Sequence, residues 1–166
     1  MIDFCQLTDR RTSHKYYGSH EQIARALRRY SAFGGNDVIR FFEVLLFSFI
    51  IGNSDMHLKN FSLLREHDGT WRLSPAYDLV PVKVVLPADK DDLALTLNGK
   101  NRKLRVGDFK MAASTMGLTE VQYRRISGKV IADVGKHLDE AIGSFLSDGF
   151  VARLRPLVAA TLSALR

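Results

Sequence analysis

One cysteine, Cys5, stands in 166 residues, so no intramolecular disulfide can form and a reducing compartment suits the chain. Met1-Ile-Asp-Phe-Cys5 has neither the basic opening nor the apolar stretch of a secretion signal. The longest greasy run, Val44 to Ile51, is too short to cross a bilayer and has Arg40 and Glu43 beside it. A cytoplasmic protein without a membrane role is the expectation. A G-x-S-x-G elbow is missing, which argues against a serine hydrolase. His57 has no second His or Cys at ligand spacing, which argues against structural zinc, and His14, His20, His67 and His137 read as surface residues. Cys5 has no local support as a nucleophile and reads as a buried structural thiol. Repeats and low-complexity tracts are absent as well.

What is there is an ordinary globular composition, 46% hydrophobic and 25% charged, which fits one domain over residues 1–166 with a core of its own. The net charge is 24 − 18 = +6, with its densest local run at Lys100-Asn-Arg-Lys-Leu-Arg105. Such a balance suits a solvated face, or attraction to nucleic acid, an acidic partner or nucleotide phosphates.

Periodicity predicts a mainly α domain: a helical bundle with one short β-hairpin. Ser19-His-Glu-Gln22 has capping-box spacing and opens a helix whose apolar side is Ile23, Leu27 and Tyr30. Asp37 can cap a second helix, Val38 to about Ile51, apolar nearly all round and therefore central and buried. Phe61–Leu64 and Trp71–Ser74 read as strands around the turn His67-Asp-Gly-Thr70. A further strand is expected at Leu93–Leu97, turning at Asn98-Gly99. Val106 opens a short helix. Thr119-Glu-Val-Gln122 caps a long one, with Val121, Tyr123, Ile126, Val130, Val134, Leu138 and Ile142 as its candidate buried side. Ser147-Asp-Gly149 reads as a turn before a last helix that Pro156 kinks or begins.

The chemistry is concentrated in Ile51-Gly-Asn-Ser-Asp-Met-His-Leu-Lys-Asn-Phe-Ser62, which leaves the buried helix and enters the hairpin. Asp55 is followed five positions later by Asn60, and Asp78 comes just after the hairpin, in Pro75-Ala-Tyr-Asp-Leu79. An aspartate, an asparagine at that spacing and a later aspartate form the layout of a phosphotransferase site: base, metal ligand, metal ligand. Asn60 offers a neutral oxygen and Asp78 an anionic one, the hard donors Mg²⁺ takes. Lys59 can place positive charge near a transferring phosphoryl group. Taken singly, Asp55 reads as a turn or cap residue; the combination is what points to catalysis.

Asp3-Phe-Cys-Gln-Leu7, the 51–62 loop, Leu73-Ser-Pro-Ala-Tyr-Asp-Leu79 and Leu93-Ala-Leu-Thr-Leu-Asn-Gly-Lys100 together resemble the C-terminal kinase lobe of the HipA family. These are serine/threonine kinase toxins of bacterial toxin–antitoxin modules. The resemblance implies a protein-kinase-like C-lobe of the HipA type, with Asp55 as catalytic base and Lys59 beside it. It implies that Asn60 and Asp78 hold Mg²⁺, and that His57, Asn60 and Asp78 line the ATP site. It implies a HipB-like DNA-binding antitoxin as partner, DNA contact through that complex, and protein substrates that in this family include aminoacyl-tRNA synthetases. One departure matters: no glycine-rich phosphate loop and no V-A-I-K-like strand occur in these 166 residues, since Gly34-Gly35 stands outside any G-x-G-x-x-G context. The chain resembles a C-lobe without its N-lobe, as an internal-start product, one part of a split kinase or a piece of a longer chain. The competing expectation is a non-catalytic module that engages an antitoxin or DNA through its basic face.

Overall fold

A computed structural model describes residues 1–142 and 146–165. Its organising element is α3, Gly34–Ile51, against which α2 (His20–Tyr30), α6 (Glu120–Ile142) and α7 (Asp148–Ala164) pack. Phe41, Phe42, Leu45, Leu46 and Ile50 of α3 are fully buried, each such side chain contributing roughly 1.5–3 kcal/mol by leaving water. Burial is not complete around the helix. Ile39, Val44, Phe47, Phe49 and Ile51 are only half-buried, and Val44, Phe47 and Ile51 border an apolar cleft of about 660 Å³ toward α6 and α7.

The Ser19 capping box forms as expected, with Ser19 and Gln22 each bonded to the other's backbone N–H. Ile23 and Leu27 face the core, but Tyr30, at the end of α2, is exposed. α3 begins at Gly34, ahead of the expected start, and Asp37 is not its cap. The Asp37 carboxylate is buried inside the first turn and accepts from the Leu73 backbone N–H at 2.7 Å and the Ser31 hydroxyl at 2.5 Å. It fastens the central helix to the sheet, a tertiary role that no local pattern announces.

The sheet has three antiparallel strands in the order β1 (Ile2–Asp3), β2 (Ser62–Arg65), β3 (Trp71–Leu73). The hairpin lies where expected, with Leu63 opposite Leu73 and Arg65 opposite Trp71. Asp68 closes its turn by accepting from the Thr70 N–H and hydroxyl. β1 is an addition from the N-terminus, pairing Ile2 with Leu63, and it leads into α1 (Phe4–Leu7). The expected strand at Leu93–Leu97 does not form. Leu93, Leu95 and Leu97 do alternate into the core, but the segment has only isolated bridges, Thr96 to Ser19 and Leu97 to Lys100, because no strand runs beside it. Asn98 and Gly99 make the turn with positive φ.

After α4 (Val82–Val85), α5 spans Val106–Thr115. α6 opens on the Thr119 box and buries Tyr123, Ile126, Val130 and Val134, with Leu138 half-buried. Val121 is 76% exposed; at about 100° per residue it lies some 200° from Tyr123, on the opposite side. The side chain of Ile142 lies outside the described residues. Ser147 precedes the first turn of α7, and Pro156 sits inside that helix without ending it. Among the described residues no helix is long and apolar enough to cross a membrane.

Cys5 is buried, its thiol directed at the Arg10 and Arg11 carbonyls. His14, His67 and His137 are exposed as expected, but His20 is fully buried between the rings of Phe41 and Phe61, with no partner for either ring nitrogen. Burial pushes its pKa down to about 3. A histidine whose folded pKa lies below its unfolded value of about 6.5 contributes fully above pH 6.5, and stability is lost as pH falls from there toward 3. Chemical denaturation should therefore show stability falling by up to about 1.4 kcal/mol per pH unit below 6.5. His20→Leu should flatten that slope and leave stability at pH 7 equal or higher, since an unpaired buried polar group disappears.

Candidate active site

α3 ends abruptly. Gly52 takes a left-handed φ of 72°, and a Cβ there would stand 3.1 Å from the Leu157 side chain of α7 and 3.2 Å from Lys83. Glycine is the residue that permits both the turn and the close approach. The chain then enters a loop whose first anchor is Asn53, 1% exposed. Its backbone N–H returns to the Ser48 carbonyl at 2.8 Å. Its carboxamide NH₂ donates to the Asp78 carbonyl at 3.0 Å, and its carboxamide oxygen accepts from the Asp55 N–H at 3.3 Å. One buried side chain thus ties the segment carrying Asp55 to the one carrying Asp78. In the sequence it reads only as a turn-permitting neighbour of Gly52.

Asn60 and Asp78 meet directly: the Asn60 NH₂ donates to Asp78 Oδ2. The Asn60 carboxamide oxygen accepts from the His57 N–H at 3.3 Å, which fixes its orientation across the 3₁₀ turn Leu58–Asn60. Tyr77 secures the approach by donating to the Lys59 carbonyl at 2.8 Å and accepting from the Ser62 hydroxyl at 2.5 Å. Asp78 itself is exposed and holds a φ of 57°. That backbone is strained for a residue bearing a Cβ, though aspartate tolerates it better than most.

His57 is buried, with its ring edge-on to Tyr16 at 5.1 Å and its Nδ1 unpartnered. Burial lowers its pKa, the Lys15 charge adds to that, and the carboxylates of Asp55 and Asp78 both pull the other way. The imidazole therefore lies within the field of both acids. Lys59 points elsewhere: its ammonium is 3.0 Å from Asp3 Oδ2 at the end of β1, and that bond raises its pKa. Asp55 is half-exposed and accepts from the Tyr16 phenol at 2.8 Å. It borders a cleft of about 530 Å³ together with Tyr16, Ser54 and Asp89. Ser54 donates to Asp89 at 2.6 Å and holds that carboxyl below the usual carboxylate range.

The arrangement offers a partly open carboxylate, a second one beside a carboxamide, and a buried histidine on which both act. Among the described residues no three His, Cys, Asp or Glu side chains cluster to hold a metal by themselves. Asp78 supplies one open anionic oxygen, but the Asn60 oxygen is taken by the His57 N–H and its NH₂ faces Asp78. The pair would hold Mg²⁺ only after the Asn60 amide turns its oxygen toward Asp78, with phosphates and water completing the shell. The residues fit a metal–nucleotide better than a bare metal. The basic run fits a free patch less well, because Lys100 is paired with Asp108 and Arg102 with Asp91.

A family model described as the HipA-like C-terminal domain matches residues 1–138. A curated protein named putative kinase Y4dM, from Sinorhizobium fredii, is 44% identical over 79 residues, which is 47% of this chain and 19% of that one. A putative kinase from Haemophilus influenzae is 30% identical over 69 residues, or 42% and 20% of the two chains. A chain from the Shewanella oneidensis toxin–antitoxin complex of HipA, HipB and operator DNA superposes with a TM-score of 0.76 at 17% identity, covering 99% of this chain and 42% of its own. The fold is shared with that chain. The matched stretch amounts to about a fifth of each curated relative's length.

The backbone at residue 78 allows stability and ligation to be separated. Asp78→Gly should be more stable than Asp78→Ala by about 1 kcal/mol in urea denaturation, because only alanine keeps the left-handed penalty. Both variants remove the carboxylate, so a stability order of alanine above glycine would show that residue 78 is not held at positive φ.

Proposed function

Since this chain belongs to the HipA-like C-terminal domain family, we propose that it carries the catalytic loop and metal ligands of a serine/threonine protein kinase. The observation that carries this reading is the convergence of Asn60 with Asp78, tied through Asn53 to the loop of Asp55. The curated relatives are themselves named putative kinases.

In this reading Asp55 orients the acceptor hydroxyl and receives its proton late, as its oxygen bonds the phosphorus and the bond to the leaving phosphate breaks. Asn60, its amide oxygen turned from the His57 N–H, and Asp78 would hold Mg²⁺, and His57 would line the nucleotide side. Lys59 stabilises the phosphoryl charge by exchanging Asp3 for phosphate oxygens. Bound Mg·ATP would supply the phosphoryl group and the cation that neutralises it. The protein-kinase-like C-lobe assignment belongs to this proposal, as does a cytoplasmic setting. So does dependence on an N-lobe that clamps the nucleotide, since positioning and electrostatics supply most of the catalysis in phosphoryl transfer. The partner proposed is a HipB-like DNA-binding antitoxin, with DNA reached through that complex; HipB and operator DNA accompany HipA in the Shewanella structure. The substrate class is a protein hydroxyl, with aminoacyl-tRNA synthetases as first candidates.

The test is phosphorylation from ATP by this chain joined to an N-lobe, in cis or in trans, with the chain alone transferring poorly. Asp55→Asn should lower kcat by about 10²–10⁴-fold with the melting temperature unchanged, because asparagine keeps the shape and cannot take the proton. Undiminished transfer in that variant refutes the reading.

A further inference from the structure

One oxygen of the Asp55 carboxylate already carries a hydroxyl. The Tyr16 phenol donates to Asp55 Oδ1 at 2.8 Å. A hydroxyl at that distance from a carboxylate is what a base needs in order to take a proton from an alcohol. Tyr16 lies on a segment that crosses the catalytic loop and is tied to the body on both sides. The Lys15 carbonyl accepts from the Leu58 N–H at 3.1 Å, and the Gly18 carbonyl accepts from the Thr96 N–H at 3.2 Å. The side chain between these anchors is 47% exposed. It is held by the Asp55 bond, by the His57 ring edge and by the Lys15 ammonium, 4.8 Å from the ring centre. Partial burial and the bond to Asp55 raise its pKa, so the phenol stays protonated and remains a donor.

We propose that Tyr16 is the resting occupant of the acceptor position, and that a serine or threonine hydroxyl of a polypeptide segment replaces its phenol on Asp55. The entry is the cleft that Tyr16 and Asp55 wall together with Val82, Leu86, Ala94 and Asn101. The proposal rests on Asp55 being the base. The exchange is nearly balanced, because one hydroxyl leaves the carboxylate as another arrives, and the exposed ring has solvent to swing into. The contact is also long-range in sequence, so the Arg11–Gly18 segment can govern access to the base without touching the metal ligands.

Water is the acceptor that requires no knowledge of the natural substrate. In this chain joined to an N-lobe, ATP hydrolysis would pass a proton of water to Asp55 while the water oxygen bonds the γ-phosphorus and the bond to ADP breaks. Tyr16→Phe keeps the ring and removes the competing hydroxyl. Hydrolysis should rise about three- to tenfold, the rate equivalent of one hydrogen bond, with KM for ATP unchanged and the melting temperature lowered by no more than the loss of that one bond. An unchanged or lower rate overturns the proposal, the latter because Tyr16 would then be orienting Asp55. Phosphate found on Tyr16 itself also overturns it. Asp55→Asn, measured alongside, separates the two ideas. Transfer that survives it, or no transfer in any variant, overturns the base assignment and this proposal together. Transfer abolished by Asp55→Asn but unaffected by Tyr16→Phe overturns the proposal alone.

Discussion

The carboxamide of Asn53, out of solvent at the end of the central helix, uses one end for the Asp55 backbone and the other for the Asp78 backbone. A buried amide left without partners costs about 1–3 kcal/mol per group, so both contacts are enforced together. If either segment drifts, the other loses its anchor. The left-handed φ of Asp78, its direct contact with Asn60 and the placement of Asp55 at the cleft lie on the two segments that this tie joins.

The tie is only as rigid as what lies beneath it. α3 is fixed at its start by Asp37 on the β3 backbone and at its end by Gly52 pressed against α7. The hairpin leaves the loop at Ser62 and returns at Leu73, and its pairing of Leu63 with Leu73 decides where Asp78 arrives. β1 adds a second hold, because the strand that pairs with β2 also presents Asp3 to Lys59. Core packing, strand register and loop geometry are therefore successive steps in positioning two carboxylates.

How much of this the sequence discloses depends on the range of the interaction. The Ser19 and Thr119 boxes and the hairpin are local patterns, and the elements they predict form; of the site, the hairpin return brings Asn60 against Asp78. What escaped are groups whose partners lie far along the chain. Asp37 looks like a cap and instead serves β3. Asn53 looks like a turn residue and instead joins two segments. Tyr16 carries no motif and lies on Asp55. His20 follows a capping serine, where exposure is the usual outcome, yet the first turn of α2 presses it between Phe41 and Phe61. Leu93–Leu97 has strand periodicity without a neighbour to pair with, so the alternation records burial rather than a ladder.

The charges at the site run against those of the chain. The protein is basic, but several cations around the site are engaged, Lys59 on Asp3, Lys83 on Asp92 and Arg102 on Asp91, while Lys15 lies over the Tyr16 ring and acts on His57 without forming an ion pair with either acid. Among the described residues Asp55 and Asp78 have no ion-pair partner, and the histidine on which both act has its pKa lowered by burial. Carboxylates without an ion-pair partner favour binding a cation. In the proposed reading, a divalent ion arriving with a polyphosphate would meet that demand and would keep the phosphate oxygens from facing the acids bare. The site's own charge distribution thus explains why the proposed nucleotide would have to arrive with its metal. It also explains why a protonated phenol, which offers a hydrogen bond and no added negative charge, is a suitable companion for Asp55 in the resting state.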